Sequence, residues 1–152
     1  MSVIVNTRTG ERGEYADFVK AFAARWREGR SSLDNFMDLL GPDIELSAPG
    51  LRPTRGHAAA REAFRRTFEV LPDLTARVND WGANGDALFI EMTFSATIGG
   101  RPVTWENVDR FCFRGGMAVR RVAYFDQLRL RRAFMRGPRG WMHLARRIRA
   151  GL

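Results

Sequence analysis

Two glycine pairs, Gly99-Gly100 and Gly115-Gly116, constrain this chain more than any other feature. They separate three stretches, residues 87–98, 101–113 and 117–126, in which apolar and polar residues alternate. Alternation at period two marks strands with one buried face. Paired glycines supply the positive φ of a two-residue hairpin turn. An antiparallel meander follows, and the turns fix its register. Phe94 should face Trp105, Met92 should face Asn107, and Ile90 should face Asp109. In the next hairpin, Trp105 should face Asp126, Asn107 Tyr124, and Asp109 Val122. Directly opposed residues share a face of a sheet. One face then gathers Leu88, Ile90, Met92, Phe94, Trp105, Asn107, Asp109, Phe111, Val122, Tyr124 and Asp126. The other face is more polar and keeps a small apolar group, Val108, Ala123 and Phe125, suited to a homodimer contact. The first face is expected to point inward.

Upstream the period changes. Tyr15, Phe18, Val19, Phe22 and Trp26 fall at helical spacing from Glu14 onward, and Gly29 and Arg30 end that helix. Ser32 is placed to cap a short second helix carrying Leu33, Phe36, Met37 and Leu40, which Gly41-Pro42 stops. Ile44, Leu46 and Ala48 alternate as a strand, and residues 49–56 read as a loop. A third helix puts Ala60, Ala63, Phe64, Phe68 and Leu71 on one stripe. Leu74, Ala76 and Val78 open a further strand. The expected fold is α+β: a cone-shaped, curved antiparallel sheet wrapped around the N-terminal helices and enclosing a pocket for a small, largely apolar molecule.

The 152 residues, 45% of them hydrophobic, suit one domain with one core. Residues 14–130 form it, after a polar lead-in over 1–13 and before a tail over 131–152. No apolar run approaches the roughly 20 residues needed to cross a bilayer. The start lacks the layout of a secretory signal, and a single cysteine, Cys112, forms no internal disulfide. These features indicate a cytoplasmic protein. The net charge of +8 lies in the tail: residues 1–126 carry 17 basic and 17 acidic residues, whereas residues 127–152 carry eight Arg and no acid. A neutral body argues against nucleic acid as a partner. In the tail, Trp141, Leu144, Ala145, Ile148 and Leu152 share one side of a helical wheel, with Arg146, Arg147 and Arg149 on the rest. Such a basic amphipathic helix packs on the domain or on a second subunit, or adheres to an anionic membrane or an acidic partner protein.

The polar residues of the inward face carry the chemical interest. Asp109, Asn107, Tyr124 and Asp126 stand among apolar neighbours, where a carboxyl group must find partners or shift its pKa upward, as a general acid or base near neutral pH requires. Asp109 and Asp126 lie on the order of 13 Å apart along the sheet, too far to share a proton. Asp126 and Asp109 are therefore the catalytic candidates in separate roles, with Asp109 equally suited to a structural bond with a buried donor. Asp126, at its strand end, is equally suited to capping. Trp105, Asn107, Tyr124, Met92, Phe94 and Ile90 are the candidate substrate-binding wall. His57 reads as an exposed helix-start residue and Tyr15 as core. Two distant histidines and no ligand-spaced cluster give no metal site, and no motif calls for a cofactor.

The order of elements resembles the nuclear transport factor 2-like superfamily. Residues 105–113 (WENVDRFCF), the hairpin after them, Tyr124-Phe125-Asp126 and the 49–56 loop are together similar to SnoaL-like proteins. The resemblance implies a cofactor-independent enzyme acting by acid/base chemistry on a hydrophobic carbonyl-containing or polycyclic substrate: cyclisation, isomerisation or hydration. The alternative is a non-catalytic binding module. It aligns Asp126 with the acid/base carboxylate of SnoaL-type cyclases and Asp109 with the oxyanion-holding acid of ketosteroid isomerases. Ala48 stands where those isomerases keep their base and Phe22 where they keep a helix-one Tyr. Met92 and Phe94 stand where epoxide hydrolases of this fold keep Arg and Asp.

Overall fold

The structure is a computed structural model describing residues 9–136. It opens with a helix, α1 (Thr9–Glu28), that begins five residues before the expected start. The stripe read from the sequence is the stripe it buries: Val19, Phe22 and Trp26 are at most 5% exposed. Gly29 ends α1 at φ +64°, and its missing side chain lets the Leu74 carbonyl approach. Here Ser32 behaves differently from expectation. Its hydroxyl donates back to the Arg25 and Gly29 carbonyls at 2.7 and 2.9 Å and makes no cap for α2 (Leu33–Met37).

The chain then forms β1 (Leu40–Ser47), which takes in Gly41-Pro42, and a two-residue strand, β2 (Thr54–Arg55), inside the expected loop. Next comes α3 (His57–Val70), burying Ala60, Phe64 and Phe68. His57 is not a free surface residue: its Nε2 lies 2.7 Å from the Leu40 carbonyl. The meander follows as β3 (Thr75–Asn84), β4 (Ala87–Ile98), β5 (Arg101–Arg114) and β6 (Met117–Phe125). A last helix, α4 (Gln127–Met135), turns Leu130, Ala133 and Phe134 into the core. The sheet order is β2-β1-β6-β5-β4-β3. The meander is antiparallel, as expected, and β1 joins β6 in parallel, so the curved, unclosed sheet is mixed. The expected helix over residues 137–152 lies outside the described residues.

The register of β4 on β5 is the one the glycine turn dictates: Ile90 faces Asp109, Met92 faces Asn107, and Phe94 faces Trp105. The next hairpin starts as expected, with Arg114 opposite Met117, then slips by one residue between Cys112 and Phe113. Val119 is the extra residue, a β-bulge that exchanges the two faces of β6 beyond it. Asn107 now faces Phe125 and Asp109 faces Ala123. Arg121, Ala123 and Phe125 therefore turn inward. Val122, Tyr124 and Asp126 lose the inward places that an unbulged ladder assigns them. The reason is electrostatic. An unbulged strand would leave Asp109 opposite Val122, whereas the bulged strand brings it the Arg121 guanidinium.

Candidate functional site

A cavity of about 380 Å³ lies between α1, β1, β2, α3 and β6. Trp26 comes from α1, and Leu46, Ser47 and Ala48 from the end of β1. Leu51, Arg52, Pro53 and Thr54 close one side. Ala59, Glu62, Ala63, Phe64, Arg66 and Thr67 come from α3, and Arg121 from β6. Exposed Arg52 and Pro53 mark the mouth, and Trp26, Phe64 and Arg121 the inner end.

Arg121 is the chemically distinctive group. Its Nε donates to Asp109 Oδ2 at 2.7 Å, and its Nη2 lies 2.7 Å from the same oxygen. Asn107 Nδ2 donates to Asp109 Oδ1 at 2.9 Å. Asp109 is fully buried and the Arg121 side chain is 12% exposed. Both oxygens of Asp109 are engaged, so it fixes the guanidinium in place instead of facing the cavity as a free acid. The guanidinium carbon also lies 5.5 Å from the Phe64 ring centre and 5.7 Å from that of Trp26, so aromatic faces share in holding the cation. Nη1 has no hydrogen-bond partner among the described residues.

Two residues of the wall each carry a polar atom that is itself buried, without a partner among the described residues: Trp26 Nε1 and Thr54 Oγ1. Each such group carries a desolvation cost of about 1–3 kcal/mol. Glu62, nearer solvent, is held by Arg65 and Arg66 at 2.7 Å. Their hydrogen bonds, Arg65 foremost, lower its pKa to about 2.

The candidates named from sequence separate into two groups. Ile90, Met92, Phe94, Trp105, Asn107 and Asp109 are all inward and at most 5% exposed, but they form the packed layer behind the cavity and not its wall. Trp105 stacks on Phe94 at 5.5 Å. Tyr124 and Asp126 are the corrections: Tyr124 is 50% exposed, and Asp126 is exposed at the start of α4. Its carboxylate accepts from the Leu128 and Arg129 backbone N–H groups at 2.9 and 3.1 Å, which makes it a helix cap. Sequence reasoning missed Arg121. The available signal was that a buried Asp109 needs a cation from a neighbouring strand. Among the described residues no group of three or more His, Cys, Asp or Glu side chains gathers as a metal site. No helix there is long and apolar enough to cross a membrane.

Residues 17–121 match the model of the SnoaL-like domain. The chain belongs to the SnoaL-like domain family. This SnoaL-like chain is similar to a candidate SnoaL-like polyketide cyclase from Jannaschia sp. CCS1, with 16% identity and a TM-score of 0.74, covering 83% of this chain and 94% of that one. TerC, co-crystallized with polyporic acid, shows 21% identity and a TM-score of 0.71 over 79% of this chain and 97% of its own. An LEH-like epoxide hydrolase from M. tuberculosis shows 22% identity and a TM-score of 0.66 over 88% and 96%. Likeness at these identities establishes the fold, shared with proteins described as NTF2-like and ketosteroid isomerase-like. No curated protein matches the sequence.

Proposed function

We propose that this SnoaL-like chain binds a small, hydrophobic, carbonyl-containing molecule in the cavity bordered by Arg121. Arg121 holds the oxygen on which negative charge develops, and the reaction class is enolate chemistry, cyclisation or isomerisation, in which the α-proton leaves to solvent water at the mouth of the cavity. The observation that supports this reading is a guanidinium at the inner end of a largely apolar cavity, clamped from behind by buried Asp109. A preorganised donor in a water-poor site stabilises a developing oxyanion strongly, and losing one such donor costs about 10²–10³ in rate. TerC, of the same fold, was co-crystallized with polyporic acid, which fits a small-molecule site.

A second reading, a binder without turnover, is favoured by the carboxylates. Asp109 is fully engaged by Arg121 and Asn107, and Glu62 has a pKa of about 2, which makes it a poor proton acceptor. One experiment separates the readings. A 1,3-diketone ligand is incubated in D₂O with the wild type and with the paired variant Asp109→Leu/Arg121→Met, which removes both charges together. Accelerated exchange of the α-hydrogens by the wild type, lost in the paired variant, supports the enzyme. Binding without exchange supports the binder. Equal binding by both proteins rejects the site.

A further inference from the structure

We propose that the outward face of α4 docks on an anionic lipid bilayer, with Leu128 and Met135 entering the interfacial layer and Arg129, Arg131, Arg132 and Arg136 pairing with lipid phosphates.

The helix is anchored from one side only. Leu130, Ala133 and Phe134 are at most 8% exposed and hold its inner face against the core. Leu128 and Met135 stand away from that face, 63% and 51% exposed. Seven residues apart, they fall within about 20° of one another around the helix and about 10 Å apart along it. They make one apolar ridge on the outside of the molecule. A single exposed leucine is ordinary. Two large apolar side chains aligned on a nine-residue helix and bordered by cations form a narrower pattern.

The cations are uncompensated. Arg131 borders the ridge on one side, Arg129 and Arg132 on the other, and Arg136 follows at the helix end. All four are exposed, and none makes an ion pair among the described residues. On α3, by contrast, Glu62 pairs with both Arg65 and Arg66. The acid next to α4, Asp126, is committed to the Leu128 and Arg129 backbone N–H groups. Arg129, Arg132 and Arg136 border a groove of about 520 Å³, which Thr104 and Asp126 also line and which would seat a phosphate headgroup. Residues 137–152 add four Arg and no acid, so the sequence that follows supplies no counter-charge.

Four positive charges select an anionic partner, and the ridge decides which. A soluble phosphate or a nucleic acid would engage the arginines and leave Leu128 and Met135 in water. A bilayer interface uses both groups together: apolar side chains enter below the headgroups while arginines stay at phosphate level. It also requires no directional hydrogen-bonding group on the ridge, and Leu128 and Met135 supply none.

The test uses the full chain and phosphatidylcholine vesicles with or without phosphatidylglycerol. Cosedimentation should show binding to the mixed vesicles alone, weakening as salt rises. Arg129→Gln/Arg132→Gln/Arg136→Gln should lower partitioning about a hundredfold, since each basic residue near an anionic surface contributes roughly fivefold. Leu128→Ser/Met135→Ser should lower it about tenfold and leave the binding of inositol hexakisphosphate, a soluble polyphosphate, unchanged. Both variants keep residues 137–152 intact, which assigns a loss to α4. The readout that needs no destabilising change is the Met135 methyl ¹³C signal of the wild type, which spin-labelled lipid should broaden. Failure to bind the mixed vesicles at low salt, or variants that bind them like the wild type with a sharp Met135 signal, overturns the proposal. An arginine-dependent binding that Leu128→Ser/Met135→Ser leaves intact makes the face a site for soluble anions and overturns it equally.

Discussion

A carboxylate with no solvent contact, such as that of Asp109, needs partners, and Arg121 and Asn107 supply them at 2.7 and 2.9 Å. Removing one member of a buried pair leaves an uncompensated charge. Asp109→Ala is therefore expected to lower stability by about 3–5 kcal/mol in urea denaturation, while Asp109→Leu/Arg121→Met recovers most of it. Asp126 has the opposite profile. As a cap, its replacement by Ala should cost about 1 kcal/mol, and by Asn almost nothing. Ligand binding and any turnover should persist in both variants; loss of turnover in Asp126→Asn would return that residue to the chemistry. Glu62 gives a pH prediction. Its folded pKa, about 2, lies below the ordinary 4.5, so its stabilising contribution is present above about pH 4.5 and fades as pH falls toward 2. Carboxyl ¹³C titration should find it ionised down to about pH 3, and binding should show no Glu62 limb between pH 5 and 9. A midpoint near 4.5 would mean that the Arg65 and Arg66 contacts do not hold in solution.

At the scale of elements, Gly29 is a strict requirement. Its φ is +64°, and a Cβ there would sit 2.7 Å from the Leu74 carbonyl oxygen, a backbone atom that cannot yield cheaply. Gly29→Ala should cost more than about 2 kcal/mol from the left-handed conformation and the clash together, read as a lowered urea midpoint at unchanged slope. Elements whose signals are local were legible in the sequence. The α1 stripe of Val19, Phe22 and Trp26, the α3 stripe of Phe64 and Phe68, and the glycine-set register from Ile90–Asp109 to Phe94–Trp105 all stand as read. The bulge at Val119 was not legible, because no glycine or proline marks it. The ladder slips there so that Asp109 can meet Arg121, and that contact is non-local. The error propagated two residues at a time, carrying Tyr124 outward and leaving Asp126 to cap α4. One inserted residue thus took half of the expected catalytic pair off the inward face.

The same bulge reshapes the outer face of the whole molecule. The sequence placed Val108, Ala123 and Phe125 there; in the structure Ala123 is buried, and Phe125 packs against the core. Val122 and Tyr124 replace them, opposite Arg110 and Val108. Phe89, 40% exposed, is opposite Arg110, whose guanidinium carbon lies 5.9 Å from its ring centre and whose Nε is buried without a partner among the described residues. Phe89, Val108, Val122 and Tyr124 thus share this face with Arg110, which stands between Phe89 and Val122, and with exposed Glu91, opposite Val108, beside a polar margin in which Asn79, Thr93 and Glu106 hydrogen-bond one another. Aromatic and Arg side chains are enriched in protein interfaces, and a second copy of this chain offers the same patch about a two-fold axis. We expect a homodimer through this face. Val122→Glu/Tyr124→Glu, made on side chains that support no core packing, should convert a dimer into a folded monomer in analytical ultracentrifugation. Because the cavity opens between α3 and the end of β1, on the other side of the sheet, the monomer should keep its ligand affinity. A wild type that sediments as a monomer across the micromolar range, or a dimer indifferent to both glutamates, would remove this face from the assembly.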